Sequence, residues 1–191
     1  MDAAILHGAF ADPPRASQST FRTLMAALAE PGTRHPLTAL AEPPAPLPPG
    51  AGTVLLTLAD ADTPVHIAPA FGDLARRWAA FHTGAPLADA CATALFAILP
   101  APDFEGFPIG TDTYPDRSAT LIVPVRFEGP AFTLTGPGIE TQRTLRADLG
   151  ADFAARWAQN RALFPRGVDL ILVDGAHVVG LPRTTTFTEQ R

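Results

Sequence analysis

The chain has 191 residues, 47% of them hydrophobic and 17% charged, which is enough to bury a core within one domain and too apolar for a disordered segment. A formal net charge of -5 leaves no basic face for nucleic-acid phosphates. All 14 basic residues are arginines, so the chain cannot hold pyridoxal phosphate as a Schiff base or complete a Walker A loop.

Residues 1–7 carry no positive region, and no run of about 18 apolar residues occurs. The expectation is a cytoplasmic protein with no membrane or nucleic-acid partner. The low charged fraction suggests surface covered by other protein chains.

In chain order, Ser17 or Ser19 caps a helix in which Phe21, Leu24, Met25 and Leu28 recur at i, i+3, i+4 and i+7. Glu30-Pro31-Gly32 ends it. Residues 43–50, Pro-Pro-Ala-Pro-Leu-Pro-Pro-Gly, read as an extended internal linker, because proline sustains neither a helix nor a ladder. Thr53 caps a short helix through Val54, Leu55 and Leu58; a buried strand fits the same run, and the helix is the reading adopted. Val65-His66-Ile67 alternates as a strand, and a helix over 73–81 places Leu74, Trp78 and Phe81 on one face before Gly84 closes it.

Two buried strands, over 94–99 and 119–125, flank a loop rich in Gly, Pro and Asp that is long enough to suggest a job of its own. Residues 132–134 form another strand, ending at Gly136-Pro137-Gly138, and a last helix over 149–163 turns Phe153, Ala154 and Trp157 inward. Strands over 168–173 and 177–181 flank Asp174-Gly175, a hairpin turn. Mixed in this way, the elements give a single α/β domain over 1–191, layered around a mixed sheet.

Motifs of known chemistry are sparse. Asp60-Ala61-Asp62-Thr63 is superficially similar to the paired aspartates of haloacid dehalogenase-type phosphatases, but Pro64 and the missing lysine break the pattern, and a self-bonded turn is the better reading. No serine lies in a Gly-x-Ser-x-Gly elbow, and Ser118 reads as a hydrogen-bonding loop residue. The five histidines lack metal-ligand spacing, and the single Cys91 sits among alanines like a small core residue. His82 and Thr83 stand at a helix end before Gly84, either as an ordinary C-cap or as exposed groups at a sharp turn. Thr111 to Ser118 gathers polar groups before a strand, including Arg117, and is either a ligand loop or a solvated connector. Arg183 follows the last predicted strand as an anion ligand, a partner contact or a plain surface residue.

Several segments taken together carry a resemblance. They are Phe21-Arg22 through Glu30-Pro31-Gly32, Leu55-Leu56-Thr57-Leu58-Ala59-Asp60 with Asp62-Thr63-Pro64-Val65, and Phe81-His82-Thr83-Gly84-Ala85-Pro86-Leu87. Ser118-Ala119-Thr120-Leu121, Leu134-Thr135-Gly136-Pro137-Gly138-Ile139, Phe164-Pro165-Arg166-Gly167-Val168-Asp169-Leu170 and Pro182-Arg183-Thr184-Thr185 continue the order. Spanning 21–185, this series resembles the PhnH family, a subunit of the bacterial carbon-phosphorus lyase system. The Pro-rich linker and the loop around 103–116 depart from it.

The resemblance implies a layered αβα domain like a reduced PLP-dependent transferase fold without PLP. It implies a homodimer inside a complex with the G, I and J subunits, which attaches an alkylphosphonate to C1′ of the ribose of ATP and releases adenine. Bond-making chemistry then falls to the I subunit. This chain, with no cofactor of its own, lends structural support and ligand contacts, for which the candidates are Arg22, His82, Thr83, Arg117 and Arg183. Two other classes stay open: an independent enzyme for a phosphorylated small molecule with His82 as general base, and a stand-alone binding module.

Overall fold

In the computed structural model, which describes residues 3–189, the chain begins with α1 (Ala3–Leu6), α2 (Pro13–Ala29), β1 (His35–Pro36), α3 (Pro49–Leu58) and β2 (Val65–Ile67). It continues through α4 (Gly72–Thr83), β3 (Phe96–Ile98), β4 (Thr120–Pro124), β5 (Ala131–Thr135) and β6 (Arg143–Arg146), and ends with α5 (Phe153–Ala162), β7 (Asp169–Asp174), β8 (His177–Leu181) and β9 (Thr186–Glu189). Met1 and Asp2, part of the N-terminal segment read above, lie outside the described residues.

The main sheet has six strands in the order β1-β8-β7-β4-β3-β2. Strands β2, β3, β4 and β7 run parallel to one another, while β8 runs antiparallel to both β7 and β1, so the expected mixed sheet is present. Leu121, Ile122 and Val123 of β4 and Leu170 to Val173 of β7 are all buried, the continuous apolar run of strands covered on both faces. The hairpin turns where it was expected: Asp174 pairs with His177 across Gly175-Ala176, and Gly175 has φ 55°.

Helix α2 corrects its predicted limits and its predicted face. It starts at Pro13 behind the N-cap Asp12, not at the serines, because proline near N1 needs no partner for the N–H it lacks. Its inward residues are Ala16, Thr20, Leu24 and Ala27, whereas Phe21 and Met25 are about half exposed. Helix and strand approach closely on that face. A β-carbon built on Gly180 of β8 would lie 2.5 Å from the Ala27 carbonyl oxygen, so the strand needs glycine where the helix backbone touches it. Gly180→Ala therefore forces helix and strand apart. The expected cost is about 2 kcal/mol, or a fall in Tm of roughly 4–8 °C by calorimetry.

The Pro-rich segment is also corrected at its end, since Pro49 and Gly50 already belong to α3. The helical reading of 54–58 holds, but Thr53 does not cap. It is buried inside α3, and its Oγ1 accepts the Ala41 N–H at 2.8 Å. In α4 the inward residues are Ala75, Trp78 and Ala79, and Phe81 faces solvent. Cys91 is partly buried against the core.

A second sheet, β6-β5-β9, was not foreseen apart from β5. Helix α5 packs on its strand β9, with Phe153, Trp157, Phe132 and Phe187 in edge or stacked contact. Ala154 is only half buried, and the inward position one turn beyond Trp157 is taken by Asn160. The long loop has a structural job. It is the crossover that joins the adjacent parallel strands β3 and β4, and it is held by Phe104 against Phe153 and Trp157 and by Phe107 against His66.

Candidate functional site

The order of the hairpin brings Arg183 to a partly buried carboxylate. With Asp174 opposite His177, each step back along β7 meets one step forward along β8, as far as Leu170 opposite Leu181. One step further sets Asp169 across from Pro182, within reach of the next residue, Arg183. The Asp169 Oδ1 accepts the Arg183 backbone N–H at 2.7 Å and its Nε–H at 3.1 Å, and Oδ2 accepts from Nη2. Nη2 also donates to Ser118 Oγ, while Nη1 donates to the Pro115 carbonyl at 3.0 Å and to the Pro165 carbonyl at 3.3 Å.

A guanidinium has five N–H donors, and here all are engaged inside the chain. Arg183, only 12% exposed, therefore acts as a clamp that ties three segments together: the turn before β4, the Phe164-Pro165 turn and the start of β7. Ser118 is the hydrogen-bonding loop residue that was expected. Beside the clamp, Gly136 approaches the Thr184 backbone, and Asn160 closes the same corner by donating to the Val168 carbonyl and accepting its N–H. A cleft of about 360 Å³ opens there between Pro137, Arg161, Phe164 and Thr184.

The clamp presents an outer surface. Arg117 is exposed and stands over the Tyr114 ring at 4.3 Å, and Phe164 is 63% exposed. Both flank carbonyls that Arg183 holds. Arg22 lies on α2, exposed next to Phe21 and Met25. His82 is on the last turn of α4, its ring against Trp78 and Phe81 and its Nε2 buried without a hydrogen bond. Thr83 bonds within its own helix end, donating to Ala79 and accepting from Ala85 N–H ahead of the left-handed Gly84. Of the residues singled out in the sequence, Arg117 and Arg183 share one neighbourhood; Arg22, His82 and Thr83 sit on other elements.

Sequence reasoning missed two further arginines. Arg126, just past β4, and Arg156, in α5, line a cleft of about 540 Å³ at the carboxyl ends of β3 and β4. Neither sits in a recognisable motif, and only the tertiary fold makes them neighbours. Asp60 and Asp62 form the self-bonded turn, with Asp60 Oδ1 accepting from Asp62 N–H and from Thr63.

Comparison with known proteins gives a consistent picture. A family model described as bacterial phosphonate metabolism protein (PhnH) matches residues 8–188. The chain is 45% identical over 194 residues to the alpha-D-ribose 1-methylphosphonate 5-triphosphate synthase subunit PhnH of Rhizobium meliloti, covering 97% of each chain. It is 46% identical over 82 residues to the putative C-P lyase subunit protein HtxG of Stutzerimonas stutzeri, covering 40% of this chain and 41% of that one.

Proposed function

The chain belongs to the PhnH family of bacterial phosphonate metabolism proteins, and from that premise we propose that it is a subunit of the ribose 1-phosphonate 5-triphosphate synthase of carbon-phosphorus bond cleavage. In this reading the assembled complex joins an alkylphosphonate to C1′ of ATP ribose and releases adenine. The observation that carries it is the end-to-end match to a subunit of that synthase.

The role of this chain is support and presentation rather than bond making. It works in the cytoplasm as a homodimer with the G, I and J subunits, and ATP and alkylphosphonate are substrates of the whole assembly. Displacement at an anomeric carbon depends on alignment and charge stabilisation. A rigid scaffold supplies the first. Arg183 fits a positioning role, because its donors are all used within the chain. Large apolar side chains left in solvent, Phe21, Met25, Phe81 and Phe164, are the kind of surface that partner subunits cover. The fold is a reduced relative of PLP-dependent transferases, and a chain without lysine has no anchor for that cofactor.

Deleting the gene in the native cells tests the proposal. Growth on methylphosphonate as sole phosphorus source is expected to stop and to return with the intact gene. Undiminished growth of the deletion strain would overturn it.

A further inference from the structure

We propose that the cleft at the carboxyl ends of β3 and β4 is an anion site, taking the tetrahedral phosphorus-oxygen end of a phosphate or a phosphonate. In open α/β sheets ligands settle outside the carboxyl ends of the parallel strands. Here the cleft has a volume of about 540 Å³ and lies between the segment after β3, the end of β4 at Pro124, and Gly150 ahead of α5.

The charges that face it are Arg126, Arg156 and Asp148, two guanidiniums against one carboxylate. Their present partners hold them loosely. Arg126 meets Asp148 at 3.2 Å with side chains 75% and 54% exposed, and Arg156 meets Asp103 at 3.9 Å with side chains 40% and 68% exposed. Exposed pairs of this kind stabilise little, so a dianion can displace either carboxylate at small cost. A guanidinium fork also matches two oxygens of a phosphoryl group better than any other side chain. Arg183 is the contrast, since its fork is fully engaged within the chain.

The start of α5 adds to the same wall. Its first turn carries no acidic residue, and the N-cap Asp152 makes no side-chain bond to the helix N–H groups. Arg156 stands in that first part of the helix. The site rests on the proposed function only in the choice of probes.

The test is titration of the full-length chain with inorganic triphosphate, methylphosphonate and inorganic phosphate, by calorimetry or phosphorus NMR. Arg126→Ala and Arg156→Ala are each expected to weaken triphosphate binding about tenfold. Asp148→Asn, which removes the competing carboxylate, is expected to tighten it several-fold, a gain that a merely structural ion pair would not give. Arg77→Ala, on α4, should leave it unchanged. Binding of triphosphate alone assigns the cleft to the nucleotide end of the reaction, and binding of methylphosphonate in competition with triphosphate assigns it to the phosphonate. No binding by the intact folded chain, or affinity indifferent to Arg126, Arg156 and Asp148, would overturn the site. Variants that lose anion binding yet support growth on methylphosphonate would refute its use in the reaction and leave the subunit role standing.

Discussion

Arg183→Ala is expected to cost about 3–5 kcal/mol of stability, because it leaves the Asp169 carboxylate, only 22% exposed, without its cation. The Pro115 and Pro165 carbonyls and Ser118 Oγ lose a donor at the same time. Chemical denaturation with far-UV circular dichroism reads the loss. Arg183→Lys should recover little, since one ammonium cannot bridge a carboxylate, a hydroxyl and two carbonyls that the planar fork reaches together. The double change Arg183→Met with Asp169→Leu should be clearly more stable than Arg183→Ala, because it removes the stranded charge along with its partner. A single variant as stable as the parent would show that the clamp holds nothing.

Trp157→Ala is expected to cost a similar amount, about 3–5 kcal/mol. The indole is fully buried between Phe153, Phe104 and Phe187, and its Nε1–H donates to the Thr185 carbonyl at 2.7 Å. Removing it opens a cavity between α5 and the second sheet and orphans the carbonyl two residues past Arg183. Trp157→Phe keeps most of the apolar volume and loses the hydrogen bond, so about 1–3 kcal/mol is expected. Thermal melts of the two variants separate packing from hydrogen bonding at this corner.

Where the sequence spoke clearly, the pattern had one physical cause. The β7–β8 hairpin combined two apolar runs with a glycine turn, and its register placed Asp169 within reach of Arg183. Counting back from the turn reaches only Pro182, so the side-chain pairing, and with it the place of Arg183 in the scaffold, emerged only once Pro115, Ser118 and Pro165 were in place. Where patterns failed, tertiary contact overrode them. Phe21 and Met25 have helical spacing and still face solvent, because the face of α2 turned to the sheet is that of Ala16, Thr20, Leu24 and Ala27, with Ala27 against Gly180. Strands β6 and β9, Arg143–Arg146 and Thr186–Glu189, are short and rich in threonine or arginine, and they become strands by pairing with β5. The cleft of Arg126 and Arg156 was invisible for a related reason: its walls come from segments distant in sequence that meet only at the ends of the sheet.

The site residues separate into two kinds of work. Arg183 holds turns whose outer faces carry Tyr114, Arg117 and Phe164, so damage to the clamp should reach partner binding through those turns. Arg126 and Arg156 are held more loosely, by exposed ion pairs and, for Arg156, by the edge of the β3–β4 loop at Phe104. Their loss should leave folding nearly intact and change only what the chain binds.

The central claim, that this chain works as a subunit and not alone, is tested most directly by assaying formation of ribose 1-methylphosphonate 5-triphosphate from ATP and methylphosphonate. The G, I and J subunits are assayed with and without this chain, beside the chain by itself. The account predicts no turnover by the chain alone, co-elution with G, I and J in near-stoichiometric amounts, and loss of product when the chain is omitted. Turnover by the isolated chain, or full activity and assembly without it, would contradict the account.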